Sequence, residues 1–244
     1  MSYNYSPYYR CVEVAGIVGF FLFEGLMALE SFRGLTGPFA AQAWWVFPCA
    51  ILLGILGADL VSGLFHFLAD NFGDEDIPIL GPNVIRPFRE HHVDPRAMTL
   101  HDFVETNGNN CLICVWAMAL AWAVVPATEQ LWGVFFLTFF ACLVMGVFLT
   151  NQIHKWSHTE RCPVLVRKLQ DWHLILPPAH HDVHHTPPFD TYYCITTGWL
   201  NLPLHWVRFF PRCEAFLRWV TRKPRPANRS LPAGHVLPRA HALK

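Results

Sequence analysis

From Leu131 to Thr150 the chain reads LWGVFFLTFFACLVMGVFLT, a run without one charged side chain. A bilayer offers no water to backbone N–H and C=O groups, so such a run closes its own hydrogen bonds as a helix. At about 1.5 Å per residue it crosses a hydrocarbon core of about 30 Å. Three further stretches repeat the pattern. Residues 43–68, AWWVFPCAILLGILGADLVSGLFHFL, carry Asp59 as their only acid, with Trp44 and Trp45 where an interfacial aromatic belt sits. Residues 111–126 are shorter, and residues 11–30 are long enough although Glu13 and Glu24 lie among them. A composition that is 53% hydrophobic and 15% aromatic agrees. MSYNYSPYYR opens with a single base, glutamates interrupt the apolar run after it, and no small-residue cleavage site follows, so no cleavable leader is expected. The expected fold is an all-α integral membrane protein with four transmembrane helices at about 11–30, 43–68, 111–126 and 131–150. The last two are joined tightly through Ala127–Gln130. Residues 1–225 are expected to form a single membrane domain and residues 226–244, Pro- and Arg-rich without periodicity, a disordered tail.

Four spans leave residues 1–10, 69–110 and 151–244 on one face. Of the Lys and Arg residues only Arg33 falls on the other, so the shared face is expected to be cytoplasmic. Beyond residue 150 no apolar run is long enough to span. Val164, Leu165, Leu169 and Trp172, and again Phe216, Leu217 and Val220, fall at helical spacing beside charged residues, which fits interfacial helices or helices packed on the protein's own body. A formal net charge of zero gives no general case for nucleic-acid binding. The eight cysteines, Cys111 and Cys114 included, sit in apolar surroundings and read as small buried hydrophobes.

The shared face also collects histidine. His180-His181-Asp182-Val183-His184-His185 would, on a helical turn, set His181 on the same side as His184 and His185, three neutral ring nitrogens for one cation. His66 and Asp70 end the second span four residues apart, and His154 and His158 follow the fourth at the same spacing. Glu90-His91-His92 lies in the loop between, so four segments bring imidazole to one surface. Imidazole suits iron, zinc, copper and nickel alike, but so many donors exceed what one zinc or one iron takes, and two metals are the natural fit. The chain has no Glu-x-x-His, the signature of soluble carboxylate di-metal bundles. Asp59 shares a helical face with Ser62, His66 and Asp70, and an acid at that depth must point inward, to orient a ligand or to line a substrate tunnel. A haem or transport protein would need axial histidines inside the spans or polar ligands at mid-depth, where only Asp59 and Glu24 lie.

Boxes of this kind on the cytosolic ends of spans resemble the integral-membrane lipid desaturase and hydroxylase superfamily. Longer strings bring the chain nearer to one branch. IRPFREHH at 85–92, HDFVETNG at 101–108, TNQIHKWSH at 150–158, LQDWHLILP at 169–177, and HHDVHH with TYYCITTGWLN at 191–201 look like the plasmanylethanolamine desaturase family, Kua- or CarF-like. The resemblance covers residues of about 58–205 and implies a cytoplasmic histidine-rich di-metal cap holding two iron ions. It implies O2-dependent desaturation of the 1-O-alkyl chain of an ether phospholipid to the vinyl ether of a plasmalogen. An external electron donor is implied with it, a carrier of the cytochrome b5 or ferredoxin type, and no nucleic acid. The membrane would be the endoplasmic reticulum in a eukaryote or the inner membrane in a bacterium. The metal residues it implies are His66, Asp70, His91, His92, His154, His158, His181, His184 and His185, with Asp70 standing where acyl desaturases have histidine. His101, His173, His180, Glu90, Asn151 and Asp182 are implied as supports or alternative ligands, and no separate protein acid or base is expected. Plastid relatives act on the acyl chain of phosphatidylglycerol; QDWHLILP and the absence of a transit-like N-terminus favour the ether-lipid branch, with acyl desaturation or hydroxylation as the alternative.

Overall fold

The computed structural model describes residues 7–74, 76–77, 81, 85–125 and 130–223, without the side chains of Pro87, Arg89 and Glu90. Its helices in chain order are α1 (Pro7–Thr36), α2 (Ala43–Phe72), α3 (Arg86–Val93), α4 (Phe103–Val124), α5 (Leu131–Ser157), α6 (Val164–Asp171), α7 (Pro178–Asp182), α8 (Asn201–Trp206) and α9 (Phe209–Thr221), with no strand among the described residues. Helices α1, α2, α4 and α5 are long and apolar enough to cross a membrane, as the four apolar runs require, and the protein is a multi-pass membrane protein.

Each helix outruns the apolar stretch that announces it. Helix α2 continues to Phe72 and α5 to Ser157, carrying the histidines of both ends within regular helix. The largest departure is α4, expected from residue 111 and found from Phe103. Its first turns are polar because they face protein: Asn110 Nδ2 donates to the Val147 carbonyl of α5 at 3.0 Å, and Asn151 Nδ2 of α5 donates to the Thr106 carbonyl at 3.0 Å. A capping box fixes the start. Asp102 accepts from the Val104 and Glu105 N–H groups while the Glu105 carboxylate accepts from Asp102 N–H. The expected connection at 127–129 and tail at 226–244 lie outside the described residues.

Helix α5 is the centre of the bundle, packing along α2 on one side and against α4 and α1 on the other. Phe20 and Met27 of α1, Cys111, Cys114 and Met118 of α4, and Leu137, Ala141, Val144 and Phe148 of α5 form one buried cluster. The α2–α5 contact is close because small residues line it. A Cβ on Gly146 would lie 2.4 Å from that of Ala58, and one on Gly54 would lie 2.6 Å from both the Phe139 carbonyl oxygen and Cys142 Cβ. After α5 the chain folds back over the bundle end. Phe67, Tyr193, Cys194 and Phe210 make a second buried cluster there, seating α9 against the end of α2. Val164, Leu165 and Trp172 around α6, and Phe216, Trp219 and Val220 on α9, stay exposed, turned away from the protein body.

Candidate metal centre

The N-terminal ends of α1 and α4 and the C-terminal ends of α2 and α5 meet at one end of the bundle. Tyr9 donates to Asn109 and Arg10 pairs with Asp102 at 2.7 Å. Helices that alternate in direction therefore deliver His66 and Asp70 from α2 and His154 and His158 from α5 to the same level. Helix α3 and the segment after α6 close over them with the remaining imidazoles.

The nine residues implied as ligands fall into two groups, His91, His154, His158, His181 and His185 in one, His66, Asp70, His92 and His184 in the other. Within each group the donor atoms lie within 4.8 Å of one another. In the all-histidine group, His154 Nε2 approaches His91 Nε2 at 3.0 Å and His181 Nε2 at 2.8 Å, and His185 Nε2 lies 3.1 Å from His181 Nε2. In the other, Asp70 Oδ2 is the hub, 3.0 Å from His92 Nε2, 3.4 Å from His66 Nε2 and 3.5 Å from His184 Nε2. The groups adjoin, with ring centroids of His66 and His154 5.8 Å apart.

The hexapeptide works differently from its sequence expectation. Helix α7 ends at Asp182, so His184 and His185 lie in the following turn. His181 and His185 enter the all-histidine group while His184 crosses to Asp70. Neighbours in sequence point apart, and His91 and His92 are divided in the same way.

Protonation suits the rings to metal. Burial, reinforced by the other imidazoles, holds His91 and His181 well below the usual histidine range, and it lowers His184 and His185 as well. Burial brings His158 down to about 4. These groups are neutral lone-pair donors at pH 7. Two tautomers are set by acceptors that can only accept: His66 Nδ1 donates to the Tyr193 carbonyl at 3.2 Å and His184 Nδ1 to the Thr191 carbonyl at 2.9 Å. Their Nε2 lone pairs are left pointing at Asp70. Those two Nε2 atoms, Asp70 Oδ1 and His158 Nε2 are buried without a hydrogen-bond partner among the described residues. Unpaired donors crowded around two centres are costly in a metal-free protein and are the arrangement a cation requires.

The supporting residues are placed elsewhere. His180 Nε2 meets Asn201 Nδ2 at 3.2 Å and its ring packs on Tyr192, outside both groups. His173 and His101 are exposed, their carbonyls accepting from Trp199 Nε1 and the Lys155 ammonium respectively. Asn151 ties α5 to α4 instead of meeting a ring, and the Asp182 carbonyl accepts from Thr186 Oγ1. The Glu90 side chain lies outside the described residues. Asp59, expected to orient a ligand or to line a tunnel, has both oxygens taken by backbone. Oδ1 accepts from Thr197 and Gly198 N–H at 2.8 and 2.9 Å, and Oδ2 from Leu200 N–H at 3.0 Å. The loop carbonyls of Thr191 and Tyr193 were not expected, since a backbone acceptor leaves no mark in sequence.

Comparison with known proteins agrees with this geometry. The model of the lipid desaturase domain matches residues 55–227. A plasmanylethanolamine desaturase of Myxococcus xanthus is 47% identical over 91% of this chain and 76% of its own length. Plasmanylethanolamine desaturase 1 of Mus musculus is 50% identical over 72% of this chain and 66% of its own. The chloroplastic fatty acid desaturase 4 of Arabidopsis thaliana is 32% identical over 61% of this chain and 45% of its own. No solved structure matches the chain.

Proposed function

Given that the chain belongs to the lipid desaturase domain family, we propose that it oxidises the 1-O-alkyl chain of an ether phospholipid to the 1-O-alk-1′-enyl chain of a plasmalogen. One observation carries the reading: two adjoining groups of metal donors sit at one end of a membrane bundle, in a chain 47% and 50% identical to two plasmanylethanolamine desaturases. The reaction takes R–O–CH2–CH2–R′ to R–O–CH=CH–R′. Two C–H bonds break and a C=C bond forms. The two hydrogens with their electrons, joined by two external electrons and two protons, reduce O2 to two waters.

Two iron ions are the metals we assign to the groups, and when bound they supply oxygen activation and hydrogen abstraction. The chain's own residues hold and orient them. His66, His181 and His184, each almost fully buried, keep bulk water from the donors, and neutral imidazoles leave the centre more cationic than carboxylate bundles do. The site is read as cytoplasmic from the Lys and Arg distribution, at the endoplasmic reticulum in a eukaryote or the inner membrane in a bacterium. Exposed Arg161 and Arg167 on this end favour an acidic electron carrier of the cytochrome b5 or ferredoxin type. Residues 1–225 are read as one domain, because α1 packs on α4 and α5 and α9 packs on α2, the helices that carry or support the donors.

The test is lipid analysis of plasmalogen-deficient cells expressing the chain and fed an alkylglycerol, beside a His181→Ala control. Only a vinyl ether releases an aldehyde on mild acid treatment. Aldehyde from the wild type alone supports the reading. New acyl double bonds without aldehyde would transfer the assignment to acyl desaturation.

A further inference from the structure

We propose that Asp59, about 10 Å along α2 from His66, is a positioning residue for the group His66, Asp70, His92 and His184. It acts through the backbone of residues 193–198.

The argument starts from the backbone of that segment, which is buried and irregular and must find hydrogen bonds outside any helix or sheet. One face of α2 provides many of them. Thr197 and Gly198 N–H donate to Asp59 Oδ1, and Leu200 N–H to Asp59 Oδ2. One turn on, Ile195 N–H donates to Ser62 Oγ at 3.1 Å, while the same hydroxyl donates to the Asp59 carbonyl at 2.7 Å. Another turn on, the Tyr193 carbonyl accepts from His66 Nδ1. Asp59, Ser62 and His66 thus read the segment in register, and Gly63 lets it close in, since a Cβ there would lie 2.6 Å from Cys194 Sγ. The remaining groups are held from within the cap. Asn201 brackets Cys194, donating to its carbonyl and accepting from its N–H at 2.9 Å each, and Leu176 N–H donates to the Thr196 carbonyl at 3.0 Å.

What this register delivers is two carbonyls. Tyr193 presents one to His66 and Thr191 the other to His184, and each forces its ring to carry the proton on Nδ1 and aim the Nε2 lone pair at Asp70. The backbone turns left-handed at Tyr192, φ 61°, and at Gly198, φ 75°, bracketing the segment. A non-glycine residue keeps such a conformation only where its surroundings fix it. No ring of the all-histidine group donates to a carbonyl of this segment among the described residues; the segment meets α5 through a hydroxyl instead, Thr196 Oγ1 lying 2.7 Å from Thr150 Oγ1. Asp59 should therefore tune one centre and spare the other.

The inference rests on both groups holding metal, and the experiment separates the two claims. Purified wild type, Asp59→Ala, Asp59→Asn, Ser62→Ala and Ser62→Thr are titrated with Co(II) against a competing chelator. Bound metal is counted and the ligand-field absorption of each centre recorded. The expected result is two binding events in the wild type. In Asp59→Ala one event weakens about 10- to 100-fold with an altered absorption band, and the other is unchanged. Asp59→Asn should fall between, because its amide oxygen still accepts from Thr197 and Gly198 while its NH2 confronts Leu200 N–H. Ser62→Thr should stay near wild type and Ser62→Ala should move the same band as Asp59→Ala. Asp59→Asn and Ser62→Ala carry the test if Asp59→Ala does not fold. A wild type that binds no metal overturns this inference and the metal assignment together. With two events in the wild type, variants that keep both bands and affinities, or weaken both centres equally, overturn the positioning role alone.

Discussion

His91 and His92 are adjacent, yet about 100° of helical rotation sends one ring to the all-histidine group and the other to Asp70. Each substitution to Ala should therefore remove a different centre. His91→Ala should lose the metal held without a carboxylate, His92→Ala the one held with Asp70, and both should lose vinyl-ether formation with the protein still in the membrane. Metal counts and absorption of the two proteins, taken side by side, check this, and identical spectra would contradict the division. His180→Ala is the contrast, because its ring meets Asn201 and Tyr192 and should leave both metals bound. At this scale much of the site was legible in sequence. Pairs such as His66 with Asp70 and His154 with His158 are spaced by four, which on a helix puts both on one side. The division within His91–His92 and His184–His185 was not legible, because it depends on where α3 and α7 stop and how they approach the bundle. The partners of Asp59 were hidden for another reason: they are backbone amides, which every residue but proline carries.

At the scale of elements, the two groups stay adjoining only if α2 and α5 stay close. Gly146 of α5 against Ala58 of α2 is a tight point of that contact, with 2.4 Å left for an added Cβ. Gly146→Val should push the helices apart, at a cost of roughly 1–3 kcal/mol for overpacking, and should lower activity by separating His66 from His154. Adding Ala58→Gly should restore part of both, read by thermal melting in detergent and by aldehyde release; failure of the second change to help would place the effect elsewhere. The N-terminus of α4 gives a smaller test. Asp102→Ala removes the cap of two N–H groups and the ion pair to Arg10, and about 1 kcal/mol of stability should go with it. Apolar runs made four helices legible but not their ends. Asn107 and Asn110 broke the hydropathy of α4 although both sit on helix–helix contacts, where their Nδ2 groups donate to Gln152 Oε1 and to the Val147 carbonyl. Helices α6 and α9 are two-sided: Val164, Leu165, Phe216 and Val220 point away from the protein body, while Val166 and Phe210 are buried and Leu217 packs on the Phe67–Phe210 cluster.

For the molecule as a whole, the two donor groups join α2, α3, α5 and the turn after α7, since donors from all four converge there, beside the apolar cluster of Ile153, Leu176 and Ile195. Alternation of four spans made that convergence foreseeable. The donor count alone pointed to two ions; how the donors divide into two groups needed the fold. Metal present at 100 times its dissociation constant stabilises a fold by about 2.7 kcal/mol, so chelation should lower the melting temperature and readdition should reverse it. Acid should act in the same direction, and the sign can be worked out. His91, His158, His181, His184 and His185 have folded-state values below the ordinary 6.5, with His158 at about 4. Between those values the unfolded chain binds more protons than the folded one, so stability rises with pH there. It is fully present above about 6.5 and falls away as pH drops toward 4, and bound metal, which competes with protons for the same lone pairs, should be released over that window. Melting temperature and metal content measured across pH 4 to 8 should fall together on the acid side. A protein that keeps both unchanged down to pH 4 would show that these imidazoles are not what holds the cap closed.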